Sequence, residues 1–143
     1  ILLTGSDGAS GGQSSRALFT IAAAGTGTVI FQWRYMTSDS TSTFDPAGYL
    51  NAGAETQLSN NGVSSPQPAL GFNNAMFDVI QGNVFGFYVD STDNDGGAGQ
   101  IEISSFSAPS GSTPPPALPE PGSLALLALG LLRMSALRNR QQG

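Results

Sequence analysis

The 143-residue sequence contains no cysteine, no histidine and no lysine, and all five of its positive charges are arginines. Each absence excludes a class of chemistry. Without Cys no disulfide staples the chain, so packed side chains must hold it; the compartment is left open. Without His or Cys there is no nitrogen- or sulfur-ligated zinc site and no Ser–His or Cys–His dyad. Without Lys there is no Schiff-base amine and no P-loop lysine. Catalysis would have to rest on carboxylates, hydroxyls, tyrosine or arginine. Charge is scarce altogether, at 10% of residues against ~25% in ordinary soluble domains.

That charge is divided unevenly. Residues 1–113 carry nine acids against Arg16 and Arg34, whereas residues 114–143 carry Glu120 against Arg133, Arg138 and Arg140. The acidic front part argues against a nucleic-acid partner, because phosphates need a basic surface to release counterions.

Hydrophobic residues in the front part recur with period two, the period of a strand. In Val29-Ile30-Phe31-Gln32-Trp33-Arg34-Tyr35-Met36 one face holds Val29, Phe31, Trp33 and Tyr35. In Val84-Phe85-Gly86-Phe87-Tyr88-Val89-Asp90, Phe85, Phe87 and Val89 fall together. The run 75–80 precedes it, and the intervening Gln81-Gly82-Asn83 is turn chemistry, so these two runs are expected to pair as a hairpin. Weaker strands are expected at 17–23, 49–51, 56–59 and 100–106, with Asn51-Ala52-Gly53-Ala54 as the turn of the middle pair. Seven or eight short strands with turns every ~8–12 residues predict an all-β antiparallel domain of the β-sandwich or jelly-roll kind. Its expected core is Phe31, Trp33, Phe77, Phe85 and Phe87.

The pattern changes after residue 108. Residues 109–121 hold six prolines and predict a semi-rigid polyproline spacer. Residues 122–143 open on Leu/Ala-rich chain, a strong helix former. The nine residues 124–132 would rise only ~13 Å as a helix, and the sixteen from Gly122 to Leu137 ~24 Å, short of the ~30 Å hydrocarbon core. Arg133 lies toward the basic end and can snorkel to the same interface as Arg138 and Arg140. The division expected is therefore a β domain at 1–108, a linker at 109–121 and a single hydrophobic helix with a basic end at 122–143.

Pro119-Glu120-Pro121, the apolar run and the arginine cluster, in that order near the C-terminus, resemble a PEP-CTERM sorting segment. The resemblance implies export in a Gram-negative bacterium, anchoring in the inner membrane with the β domain periplasmic, and cutting near Glu120 by an exosortase. The cleaved chain would then reach the surface or the extracellular matrix. In that reading the protease supplies the catalytic residues and this chain the substrate. Such systems accompany exopolysaccharide and biofilm formation, so polysaccharide is an implied partner. Stretches such as Phe31-Gln32-Trp33-Arg34-Tyr35-Met36-Thr37-Ser38-Asp39, Gln81-Gly82-Asn83-Val84-Phe85-Gly86-Phe87 and Asp93-Asn94 are similar to β-sandwich domains found before such tails, with no established activity to carry over. The start Ile1-Leu2-Leu3 lacks an initiator Met and a basic n-region, so a fragment or mature chain is expected.

Within the domain, Ser91-Thr92-Asp93-Asn94-Asp95-Gly96-Gly97-Ala98-Gly99-Gln100-Ile101-Glu102 nearly matches a twelve-position calcium loop. Asp93, Asp95 and Glu102 are the candidate Ca²⁺ ligands, supplying the oxygens a hard cation needs. The plainer reading is a connecting loop, since Asp, Asn and Gly are ordinary turn residues. Asp39 and Asp45 bracket residues 40–44; they could join a metal site, bind sugar hydroxyls, or cap turns. Tyr35, Tyr49 and Tyr88 are candidate sugar-stacking residues. No cofactor other than Ca²⁺ is expected, and no catalytic residue. A glycosidase would need two carboxylates at a defined separation, and Glu55 and Glu102 are the domain's only glutamates. The expected role is a non-enzymatic surface or matrix protein. Its rivals are a carbohydrate-binding module and a Ca²⁺-binding adhesive domain, permanently anchored by the C-terminal helix.

Overall fold

The computed structural model describes residues 1–7, 14–63, 65–93 and 96–111. Its strands are β1 (Leu2–Thr4), β2 (Ser15–Ala22), β3 (Gly27–Thr37), β4 (Ala47–Asn51), β5 (Ala54–Gln57), β6 (Asn73–Val79), β7 (Val84–Ser91) and β8 (Gly99–Ser107). They form two antiparallel four-stranded sheets, ordered β1-β8-β3-β6 and β2-β7-β4-β5. Pairs β1/β8, β2/β7, β3/β6 and β4/β5 nest about the β4–β5 turn, as in one long hairpin rolled into two layers. That is the order of a jelly roll. The compact unit runs from Ile1 to Gly111.

The alternation of β3 does what its sequence dictates. Val29, Phe31, Trp33 and Tyr35 are buried on one face, while Ile30 on the other is half exposed. Opposite them stand Phe85, Phe87 and Val89 of β7, and Ile101 and Ile103 of β8 close the same core. Phe31 is the hub. Its ring meets Phe87 edge-on at 5.0 Å and Tyr49 and Phe77 at 6.0 Å, and Tyr49 stacks on Phe77 at 4.5 Å. Such pairs add about 0.5–1.5 kcal/mol each beyond burial of area. All five expected core residues are buried.

The expected hairpin between the 75–80 and 84–90 runs does not form. β6 pairs with β3 and β7 pairs with β2 and β4, so residues 80–83 pass from one sheet to the other. The physical reason lies in the inward faces. Side by side in one sheet, Phe77 and Phe85 would need another layer to cover them. Across the sandwich they cover each other, with ring centroids 5.7 Å apart. The turn is stitched to the β2–β3 connection instead: Gly82 N–H donates to Ala23 C=O, Ala23 N–H to Asn83 C=O, and Gln81 N–H to Thr26 Oγ1. Gly82 sits at φ +86°, a conformation that L residues disfavour.

The turn at 51–54 does close a hairpin, joining β4 to β5 with Asn51 opposite Ala54. Ala52 and Gly53 both have positive φ, 50° and 85°, the signature of a type I′ turn. β8 carries a bulge. Gln32 faces Ser104 and Ile30 faces Ser107, leaving two residues of β8 against Phe31. Ser105, at φ +46°, turns outward to donate its hydroxyl to Gln32 Oε1. The extra residue brings Phe106 inward against Phe85 and Phe87.

Candidate functional site

The three tyrosines proposed for sugar contact do not present a row of rings. Tyr35 is fully buried, its hydroxyl donating to the Asp45 backbone carbonyl at 2.8 Å. Burial pushes its pKa well above the usual phenol value. Tyr88 is also buried, because the Arg16 guanidinium lies over its ring at 4.8 Å. Tyr49 is half-buried in the core against Phe77. Stacking on a sugar needs an open ring face; Tyr35 and Tyr88 have none, because β3 and β7 use them as packing residues.

Arg16 itself is fully engaged. It donates Nε and Nη2 to the Asp90 carboxylate at 2.6 and 2.8 Å, and pairs with Glu55 on β5 through Nη1 and Nη2. This ties three strands of one sheet together on its outer face. Those hydrogen bonds raise the arginine's pKa still further and lower that of Glu55. Glu102 belongs to β8, in the other sheet, between the inward-facing Ile101 and Ile103. Glu55 and Glu102 therefore stand on opposite outer faces of the sandwich, and do not converge as a glycosidase pair would.

The calcium-loop spacing is also broken by the fold. Its last position, Glu102, lies within β8 and faces outward across the ladder from Leu2 and Arg34, away from the loop end where Asp93 sits. Asp95 lies outside the described residues, as do Pro119, Glu120, Pro121, Arg133, Arg138, Arg140 and the expected hydrophobic helix. Among the described residues no helix is long and apolar enough to cross a membrane.

The structure instead brings together, at one end of the sandwich, residues 38–46 between β3 and β4 and residues 92, 93 and 96–98 between β7 and β8. Thr37, at the end of β3, is the hinge of the arrangement. Its hydroxyl donates to Asp45 Oδ2 at 2.6 Å and accepts from the Asp39 backbone N–H at 3.0 Å. Asp90 N–H donates to Pro46 C=O, and Thr92 N–H and Oγ1 both donate to Phe44 C=O, locking one loop onto the other. Glycines make the approach possible. A Cβ on Gly99 would stand 2.6 Å from the Asp45 Cβ, and one on Gly96 2.9 Å from Asp39 Oδ1.

Asp45 is the unusual group here. The residue is fully buried, and its Oδ1 accepts no hydrogen bond. Asp39 Oδ2 is likewise enclosed and unbonded. Burial raises the Asp45 pKa; the Thr37 and Ser91 hydroxyls oppose the shift, and the negative charges of Asp39 and Asp93 add to it. Among the described residues no three Asp or Glu side chains converge closely enough to form a metal cluster by themselves. The bracketing of residues 40–44 by Asp39 and Asp45 was the signal for this pairing. The role of Thr37 had no sequence signal, since a threonine ending a strand is ordinary.

No family model matches the chain, and no curated protein matches it.

Proposed function

We propose that the chain is an exported, non-enzymatic surface or extracellular-matrix protein whose jelly-roll domain is released from the inner membrane by an exosortase. The observation that carries this reading is the order of the tail. Pro119-Glu120-Pro121, the apolar run 124–132 and the arginines Arg133, Arg138 and Arg140 come after a compact unit that ends at Gly111. A domain with its own core tolerates being cut from its tail. The positive-inside rule places the arginine end in the cytoplasm and the acidic domain outside. The polysaccharide matrix is the proposed setting of the released domain, and nucleic acid is not a partner.

The test is processing in a Gram-negative host that carries an exosortase, with the whole chain placed behind an export signal. The expected result is a shortened product outside the inner membrane. Deletion of residues 119–121 should leave the full-length chain in the membrane fraction. Unchanged processing of the deletion variant would refute exosortase sorting, and a wild-type chain retained uncut would favour the permanent anchor.

A further inference from the structure

We propose that the free edge of β2 is a self-association surface, where a second copy of this chain adds its own β2 antiparallel and the two sheets join into one. The inference goes beyond sorting and does not depend on it. The two sheets have four edges, β1, β6, β2 and β5. Proteins guard such edges with shortness, charge, proline or a bulge, because unpaired N–H and C=O groups invite another chain. β1 has three residues, and β5 has four and carries Glu55; β6 carries Asp78, whose backbone carbonyl accepts from Asn51 Nδ2. β2 has eight residues, no proline and an unbroken register against β7. Its one charge, Arg16, is already held by Asp90 and Glu55.

The strand is open on both faces. Leu18, on the outer face, is 51% exposed, while Phe19 and Ile21 face inward opposite the buried Phe87 and Phe85 and are still 37% and 49% exposed. The nearby edge strand of the facing sheet, β1, is too short to cover them. The backbone defines what would. Ala23 N–H donates to Asn83 C=O and Gly82 N–H to Ala23 C=O, so Ala23 faces the β7 side. By the alternation of an antiparallel ladder, Leu18, Thr20 and their even-numbered neighbours aim N–H and C=O at the free edge. An extended strand is the partner that satisfies such a row.

A second β2 fits it. With Phe19 on a two-fold axis, Leu18 pairs with the partner's Thr20 and Arg16 with the partner's Ala22. All the free-edge residues from 16 to 22 are then used, and both inward faces stay on one side. Phe19 meets its own copy in the closely spaced, non-hydrogen-bonded kind of pair, with Cα atoms ~4.5 Å apart, where aromatic side chains attract. Charge favours the same partner. Residues 1–113 carry nine acids against two arginines, so two copies repel over most of their surface, whereas residues 17–22 carry no charge. A strand of this length, at ~3.4 Å per residue and ~10 Å of sandwich thickness, covers ~270 Å² per copy. That is about a third of a standard interface, so the expected association is weak, with Kd on the order of 10⁻⁴ M.

The test is sedimentation velocity of the 143-residue chain from about 10 μM to 1 mM, a range spanning that Kd. The expected result is monomer–dimer exchange. Thr20→Pro removes an N–H that the partner would accept, at a strand position where proline is tolerated because its N–H faces solvent, and should weaken association about tenfold or more. Thr20→Val keeps the N–H and should leave association unchanged. Because the chain has no cysteine, Phe19→Cys supplies a single thiol. It should oxidise to a disulfide-linked dimer, since opposed Cα atoms in this register lie within disulfide reach; Thr56→Cys, exposed on β5, should not. A chain monomeric at every concentration would overturn the proposal, whether or not some other protein binds it. Equal association of Thr20→Pro and Thr20→Val would overturn it too, placing the contact elsewhere, the tail included. If Thr20→Pro fails to fold, the disulfide comparison decides, and equal cross-linking from positions 19 and 56 would refute the register.

Discussion

Gly86→Ala tests the packing of the β2-β7-β4-β5 sheet, because two effects on stability act with opposite sign. Gly86 sits in the middle of β7, opposite Thr20 of β2 and Leu50 of β4. An added Cβ would stand 1.9 Å from the Phe19 carbonyl oxygen and 2.9 Å from the Phe19 carbonyl carbon and Thr20 Cα. These are backbone atoms of a paired strand, so no rotamer can relieve the clash; β2 itself must move by more than about 1 Å, since close-packed strands have no slack. Overpacking of this kind costs about 1–3 kcal/mol, and each ladder bond weakened adds about 0.5–1.5 kcal/mol. Against this, replacing Gly reduces unfolded-state entropy and stabilises by about 0.4–1 kcal/mol wherever the native backbone accepts alanine. The net expectation is a loss of about 2–3 kcal/mol, read as a lower urea midpoint at unchanged slope. Gly82→Ala is the control. Its φ is +86° but nothing lies within 4 Å of the new Cβ, so only the left-handed backbone cost of about 1–2 kcal/mol applies. A Gly86→Ala chain as stable as the unsubstituted one, or more stable, would refute the steric reasoning.

The hub of the core should show itself in the same assay. Phe31→Ala is expected to lose about 3–5 kcal/mol, whereas Ile30→Ala, on the half-exposed face of the same strand, should stay within about 0.5 kcal/mol. Acid titration should reveal the Arg16–Glu55 pair. The folded-state pKa of Glu55 is lowered, first by its hydrogen bond from Arg16. Its contribution is therefore present above the ordinary Glu value of about 4.3 and lost as pH falls through the lower folded value. Urea midpoints measured across that window should fall less steeply in Glu55→Gln than in the unsubstituted chain; identical slopes would show that the pair contributes nothing.

The strands and their inward faces were largely legible in the sequence because both follow from the two-residue period. Val29, Phe31, Trp33 and Tyr35 could be assigned to one face without knowing what that face would meet. The 51–54 turn was legible because its chemistry is local. The 81–83 turn misled for the same reason: Gln-Gly-Asn has turn chemistry, but turn chemistry does not say whether the next strand stays in the sheet. β1 carried too short a signal, three residues held by their ladder to β8. Aromatic character told nothing of exposure, so Tyr35 and Tyr88 read as contact residues although the fold uses them as filling. The calcium-loop spacing likewise counted residues along the chain, whereas β8 carries Glu102 away from Asp93.

What the sequence determined by itself is local: an acidic, lysine-free domain of short alternating strands, followed by a proline-rich stretch and an apolar run with a basic end. Period-two burial and turn propensity act over a few residues, so they survive without tertiary context. Strand partners, the crossing at 80–83, the bulge that brings Phe106 inward and the enclosure of Asp45 beside Asp39 were decided only by the tertiary structure. Each depends on residues distant in sequence competing for the same core, and that competition is settled by packing two sheets face to face.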